Sequence, residues 1–558
     1  MTKPRAPRRQ PPRRSNDARA PQRASELAAP APAASGPTIR FLPSLLALVL
    51  AIYGVARGDV DDPAFMLSLL GPALALVAWN VWLLNAPARR ARGLTVVVEL
   101  RKQHYLQACA QFSVYLYWGF SIQFPLVRDH LPLLAVQLVF AYAFDMLLGW
   151  SRRGRYSLGF GPFPVIFSTN LFLWFEPRYF IFQIVMVAIG FAAKEYLRWE
   201  RDGRKVHIFN PSSFPLAVAS IALILTATTD VTAGALIANT QAGPPHMHLM
   251  LFMVALPGQF LFGVASMTLS AVVTTYLFGV VYHAAAGTYF FFDLYLPIPV
   301  FLGMHLLFTD PSTSPRTELG RICFGVLYGL STCVLYELFM RTGVPTFYDK
   351  LLQVPLLNLS VRFLDRITRT TWLAKLGPER LGPTLAPRTR YAIYTGLWAA
   401  IFATLLVTRG LGDRHPGQYW PYWIAACDRG NDRACAYLVG VEVQMCEAGS
   451  GWACNEAGIR GPQSYPGLDV EMDAERRAAI FRRGCDLGFT PACSNTAHVV
   501  HHNPTLVHAP PSLHDYPIIL QGSRLGPLED LTPESLHARA CEQGWPGACE
   551  PRVDSAPQ

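Results

Sequence analysis

Residues 131–150 read LPLLAVQLVFAYAFDMLLGW, and Asp145 is their one charged side chain. An α-helix rises 1.5 Å per residue, so about 20 apolar residues cross the roughly 30 Å hydrocarbon layer of a bilayer. The same pattern recurs from residue 41 to residue 407, broken by short polar gaps. Across all 558 residues, 51% are hydrophobic and 15% charged, with a mean hydropathy of +0.23. Ordinary soluble proteins carry about 25% charged residues. This composition excludes a cytosolic enzyme, and the net charge of +10 is read as topology rather than affinity for nucleic acid.

Outward from that run, thirteen spans are predicted in an all-α polytopic protein. They are Phe41–Ala56, Pro63–Asn85, Ala108–Leu126, Leu131–Trp150, Phe160–Phe175, Tyr179–Leu197, Phe214–Thr228, Leu249–Ala265, Met267–Tyr282, Phe290–Phe308, Ile322–Met340, Leu351–Leu364 and Tyr391–Val407. The apolar stretch 249–283 is too long for one crossing and barely enough for two. Cations collect in alternate gaps: Arg89 to Lys102, Arg152 to Arg155, Arg198 to Lys205, Arg316 with Arg321, and Arg362 to Arg390. Residues 229–248 contain no Lys or Arg. Positive charge stays on the cytoplasmic side, so the N-terminus is expected there and the C-terminus outside. Residues 1–39, rich in Pro, Ala and Arg, cannot bury a core and are expected to be a disordered cytoplasmic tail. Residues 40–100 would add two spans and a basic loop, 101–370 a membrane core, 371–408 a basic loop and the last span, and 409–558 an extracytoplasmic domain.

Eight of the eleven cysteines lie in that last segment, in four pairs of constant spacing: Cys427 and Cys435, Cys446 and Cys454, Cys485 and Cys493, Cys541 and Cys549. In each, the first Cys ends a predicted helix, a Gly three residues on supplies a left-handed stop, and the second Cys opens the next helix. That geometry suits a disulfide across an α/α corner in an oxidising compartment. Structural zinc normally uses ligand spacings of two to four residues, which are absent, so no metal is expected. His498, His501, His502, His508 and His514 follow no single helix face and are read as a Pro-rich surface loop.

ACDRGNDRACAYLVG (426–440) and DVEMDAERRAAIFRRGCDLGFTPACSNTA (469–497) resemble the cysteine-rich form of the Sel-like repeats, relatives of TPR repeats. That resemblance implies a protein-binding solenoid, although the repeat spacing here is irregular.

Two further segments place capping chemistry against apolar helices. In HIFNPSSF (207–214), Asn210 reads as an N-cap, Pro211 as the first helical residue, and Ser212 and Ser213 as partners of the opening amides. In FTDPSTSPRTELGRICFG (308–325), Thr309, Asp310 and Pro311 repeat the arrangement, followed by Ser312 and Thr313. Helix N-termini of this kind suit a phosphate or another anion. Together with LLQVPLLNLSVRFLDR (351–366), they resemble the NqrB/RnfD family of flavin-bearing membrane electron-transport subunits. The resemblance spans roughly residues 100–370 and implies a ten-helix core, bound FMN or riboflavin, other electron-transport subunits as partners, and coupling to ion movement. The matching positions are Phe209, Asn210, Pro211, Thr309, Asp310, Pro311, Thr313, Gly320, Arg321, Gly325 and Asp365. The family's flavin-accepting threonine stretch is absent from DVTAGALIANTQAGPPHMH (230–248), so the flavin is expected to be non-covalent. Asp145 is the candidate ion or proton relay, because an acid at mid-membrane costs about 2.5–3.5 kcal/mol and needs a partner or a use. Asp293 and Glu337 fall nearer the predicted outer ends, and the aromatics around Tyr179 and Phe290 read as interfacial belts. A solute or ion transporter on this scaffold, or a membrane anchor for an envelope interaction domain, are the alternatives.

Overall fold

The computed structural model describes residues 38–57, 63–86, 93–121, 124–201, 203–241, 243–378, 385–447, 449–461 and 474–487, with a few positions outside them such as Ala33 and Ala34. These residues are mostly helical, and seven helices are long and apolar enough to cross a membrane. The first two, α1 (Leu42–Ala56) and α2 (Pro63–Asn85), form a hairpin against the rest. Its polar tie is Asn80, which accepts from Ser44 Oγ at 2.6 Å and donates to the Arg40 carbonyl at 3.0 Å.

Ten helices then follow as two series with the same order. The first is α3 (Lys102–Leu116), α4 (Pro125–Arg153), α5 (Pro162–Asn170), α6 (Phe180–Tyr196) and α7 (Ser213–Thr226). After the short α8 (Gly234–Thr240) come α9 (His246–Phe262), α10 (Ala265–Ala286), α11 (Ile298–Leu302), α12 (Glu318–Thr342) and α13 (Gln353–Thr368). The third member of each series is short and opens with the same signature, PFPV at 162–165 and PIPV at 297–300. Packing repeats too: third on first, fourth on second and fifth on fourth in both series, while α3 meets α9 and α7 meets α13.

The connections sort to two ends. At one end, β1 (Ala33–Ala34), β2 (Thr95–Val98) and β3 (Arg155–Leu158) form a sheet, β4 (Arg198–Arg201) and β5 (Arg204–His207) form a hairpin, and Arg201 pairs with Asp365 at 2.6 Å. The α9–α10 turn belongs here, its Gly263 carbonyl taking Arg321 Nη1 at 2.6 Å. At the other end Phe175 bridges Thr232, and the α3–α4 turn lies beside it through Trp118 and Trp174, ring centroids 6.1 Å apart. Equivalent turns of the two series thus fall at opposite ends, which makes the series inverted copies of one five-helix unit. The described cations of the alternate basic gaps gather at the first end.

Several predicted limits move. The stretch 249–283 is two helices, broken where Gly263 takes φ +65°. The predicted span Ala108–Leu126 starts earlier, at Lys102, and closes in a widened π turn at Tyr117–Ser121. The predicted spans Phe160–Phe175 and Phe290–Phe308 contain only α5 and α11, the latter extended by a π turn over Gly303–Leu307. Each short helix is buried, so its free carbonyls need protein donors. Tyr115 donates to Phe167 at 2.8 Å, Gln241 to Leu171 at 2.9 Å, Thr268 to Met304 at 3.1 Å and Asn210 to Leu307 at 2.7 Å.

Beyond α14 (Pro387–Val407) the chain forms α15 (Trp420–Asp428), α16 (Asp432–Glu447), α17 (Gly451–Arg460) and α18 (Ala474–Asp486). Bridges join Cys427 to Cys435 and Cys446 to Cys454, with Cα–Cα separations of 4.7 and 4.6 Å. Gly430 and Gly449 take the left-handed conformation between them, at φ +81° and +102°. Helix α16 carries one cysteine of each bridge, which explains the short first repeat spacing. Cys485 is disulfide-bonded; Cys493, Cys541, Cys549 and the five clustered histidines lie outside the described residues. This domain sits on the second end of the bundle. Phe290, Phe291 and Phe292 are buried rather than forming an interfacial belt: Phe290 and Phe291 pack among Phe278, Tyr282 and Tyr336, and Phe292 packs into the repeat domain, stacking on Tyr437 at 4.3 Å.

Candidate functional site

The turn before α7 is built around Asn210, 4% exposed. Its side-chain oxygen accepts from the amides of Ser212 at 2.9 Å and Ser213 at 3.3 Å, while its own amide donates to Asn358 Oδ1 at 3.0 Å. Asn210 thus ties the start of α7 to the end of the α11 π turn through its side chain, which donates to the Leu307 carbonyl, and to α13 through its backbone amide. Gly190 on α6 allows this closeness, since a Cβ there would stand 2.6 Å from the Pro211 carbonyl.

The second motif differs from its reading as a helix start. Asp310 forms a separate turn, accepting from the Ser312 amide at 3.0 Å and the Thr313 hydroxyl at 3.1 Å. Helix α12 begins later, capped by Thr317, which accepts from Gly320 N at 3.1 Å. The positions linked to it act as struts: Arg321 holds Glu318 at 3.0 Å and the Pro315 carbonyl at 3.1 Å, and Asp365 accepts from the Arg316 amide at 2.7 Å. Burial opposes ionisation of Asp310; His207, whose Nε2 lies 3.3 Å away, and the Ser312 and Thr313 donors outweigh it and keep the carboxyl below its usual range. In both motifs the protein's own side chain takes the opening amides, which removes them from an incoming anion.

The two turns nevertheless meet. Asn210, Pro211, Ser212, Thr309, Asp310 and Ser312 share one wall of a cavity of about 870 Å³ at the basic end of the bundle, whereas Ser213 and Thr313 are buried outside its lining. Asp145, predicted as an isolated relay, lines the same cavity from α4. Phe191, Val254, Pro257, Phe262 and Leu306 supply apolar surface.

Its positive charge comes from Lys194 and from residues that the sequence marked only as signals of topology. Arg153 and Arg198 both engage Glu195, and Arg101 engages Glu99 at 3.0 Å. Arg155 and Lys205 also line the cavity and enter no ion pair among the described residues. Lys194 lies over the Phe191 ring at 5.4 Å. Only the run of cations after predicted spans hinted at this rim, and sequence had assigned that run to topology. Among the described residues no group of three or more His, Cys, Asp or Glu is placed to hold a metal. Comparison with protein families, curated proteins and solved structures finds no match to this chain.

Proposed function

We propose that this chain is a multi-pass protein of a bacterial-type inner membrane that binds FMN or riboflavin without a covalent bond and passes electrons, in the manner of the NqrB/RnfD-type subunits it resembles. The observation that carries the reading is the single cavity in which the two capping turns, Asp145 and a cationic rim converge. Its volume of about 870 Å³ lies within the roughly 300–1,000 Å³ typical of cofactor sites. The residues fit such a group: apolar side chains from α6 and α9 can flank a planar ring, and Arg155, Lys194 and Lys205 can hold an anionic tail. A bound flavin supplies one- and two-electron transfer; Asp145 is set to exchange a proton with it, and Asp310, tied to His207, keeps the wall polar and fixed. Thirteen crossings are read here from α1, α2, the two five-helix series and α14. The basic end then faces the cytoplasm, and the repeat domain outside offers a surface to a protein partner, with other electron-transport subunits completing the path.

Visible absorbance of the purified protein tests the reading. Flavin bands that disappear on denaturation and extraction are expected, with no fluorescent band left in a denaturing gel. Asn210→Ala, which removes the side-chain bond to the Leu307 carbonyl and the cap on the Ser212 and Ser213 amides, and the double charge reversal Arg155→Glu with Lys205→Glu should each lower flavin content at least severalfold. A colourless, fully folded preparation that takes up neither FMN nor riboflavin would defeat the proposal. One observation favours a second reading, solute or ion movement: α5 and α11 are short, buried and inverted, and Ser168 Oγ reaches the Leu306 carbonyl between them at 3.4 Å. Flux into proteoliposomes without a redox partner would favour it.

A further inference from the structure

The two described disulfides occupy different environments. Cys446 and Cys454 are 2% and 0% exposed, sealed in the aromatic core of the repeat domain with Trp420 and Trp452. Cys435 is buried, but Cys427 is half-buried at the edge, where α15 ends. Thiol–disulfide exchange requires a thiolate to reach one sulfur in line with the bond, so access separates the two bridges.

The loop that the accessible bridge closes is also one of the places where the domain grips the helical bundle, beside the contacts of Gln418, Tyr422 and Trp423. Asn431 Nδ2 donates to the Ala286 carbonyl at 2.9 Å, and its Oδ1 accepts from the Ala434 amide at 3.1 Å, fixing the start of α16. Two residues on, Arg433 donates to Glu337 at 2.7 Å and to the Phe290 carbonyl at 2.8 Å. Its guanidinium also lies 4.9–5.4 Å from the rings of Phe292, Tyr282 and Phe290. Both anchors stand between Cys427 and Cys435, so their spacing is set by the bridge.

We propose that the Cys427–Cys435 disulfide is a thiol-exchange site for an extracytoplasmic dithiol, and that its reduction frees the Asn431–Arg433 loop of the repeat domain from the outer end of α10 and α12. The step balances: a thiolate of the dithiol attacks Cys427 Sγ, the Cys427–Cys435 bond breaks to a mixed disulfide and a Cys435 thiol, and the second thiolate then closes the reagent's own disulfide. Two protons pass to the protein's two thiols and two electrons leave the dithiol. Loss of the cross-link lets the α15–α16 corner open and moves Asn431 and Arg433 off their partners, while Cys446–Cys454 keeps the domain folded.

The test is hydrogen exchange read by mass spectrometry on the full chain, before and after graded dithiothreitol, with each bridge's state read by differential alkylation. Cys427 and Cys435 should become alkylated at reductant levels that leave Cys446 and Cys454 protected. Exchange should then rise severalfold in 286–293 and 427–435 and stay unchanged in 451–460. The Cys427→Ser, Cys435→Ser double variant should show the released pattern without reductant, and Arg433→Ala should release the outer loop with the bridge intact. Simultaneous reduction of both bridges, collapse of protection in 451–460, or unchanged exchange in 286–293 after confirmed reduction would each overturn the proposal. None of these readouts depends on flavin, so failure here is separable from failure of the cavity assignment.

Discussion

Glu442 shows how one carboxyl can set the pH response of a whole domain. It lies on α16, 1% exposed, and shares the guanidinium of Arg460 with Glu456, which is fully buried and 3.2 Å from it. Burial, reinforced by the Glu456 charge and only partly offset by Arg460, pushes the Glu442 carboxyl up to about 8. The folded state therefore keeps a proton that the unfolded chain releases near the ordinary carboxylate value. A group raised in this way stabilises the fold fully below about pH 4.5 and loses that contribution as pH climbs towards 8, because the native state binds more protons in that window. Thermal unfolding of the repeat domain, followed through Trp420, Trp423 and Trp452, should show a midpoint that falls between pH 6 and pH 8.5. Glu442→Gln, neutral at every pH, should flatten the profile and raise the midpoint at pH 8.5 by several degrees, since roughly 1 kcal/mol moves it by a few degrees. A profile for Glu442→Gln that parallels the parent would defeat the assignment. Nothing in VEVQMCEAGSGWACNEAG (441–458) marked this acid. The sequence shows the cysteines and the glycine that turns each corner, but which acids the corner encloses depends on how α16 and α17 face each other.

Between elements, α10 and α12 approach closely, and the contact rests on two glycines four residues apart, Gly325 and Gly329. A Cβ at Gly325 would meet Ser270 Oγ at 2.1 Å and the Met267 carbonyl at 2.3 Å; one at Gly329 would meet Thr275 Oγ1 at 2.8 Å and the Ala271 carbonyl at 2.9 Å. Small residues at this spacing let helices in an apolar environment pack backbone to backbone. Gly325→Val must move α12 outward and should destabilise by about 1–3 kcal/mol or more. The loss should appear as a lowered unfolding midpoint in detergent, while Gly396→Val on α14, where a Cβ would meet nothing within 4 Å, should change little. Equal effects at the two positions would show that this contact is not limiting. Hydropathy located most of these helices because it follows composition along one strand of sequence. It failed where length and tertiary donors decide: α5 and α11 look like full spans until the side chains that satisfy their carbonyls are known. The PFPV and PIPV signatures were visible but carry meaning only once their helices are seen to be inverted equivalents. The candidate site was legible in part for the same reason. Asn210 and Asp310 stand in recognisable turns, but the chain does not say that the amides they cap are already taken, nor that Asp145 faces the same cavity.

For the molecule as a whole, the packed ends make a claim about sidedness that residue-level data cannot. Connections at the β4–β5 hairpin and at the repeat domain lie at opposite ends of the helices, so exactly one of them can face the cytoplasm if the bundle spans a bilayer. Arg204 at the hairpin and Glu475 at the start of α18 are both exposed, and Arg204 joins the hairpin through its backbone, opposite Arg201, which a cysteine there keeps. In a background with the exposed Cys109 replaced by Ser, Arg204→Cys and Glu475→Cys therefore report on the two ends separately. Cationic loops are retained on the cytoplasmic side during insertion, and free thiols pair readily only on the oxidising side. A membrane-impermeant maleimide added to intact cells with a permeabilised outer layer should label Glu475→Cys and spare Arg204→Cys until the inner membrane is opened. Labelling of both from outside would mean that the hairpin end is not sealed by a bilayer. Labelling of Arg204→Cys alone would invert the topology and place the disulfide-bonded domain in a reducing compartment, where its bridges could not persist. Either result would also remove the extracytoplasmic dithiol as a partner for Cys427, whereas the expected pattern leaves the cavity open to the cytoplasm and the thiol-exchange site on the other side of the same helices.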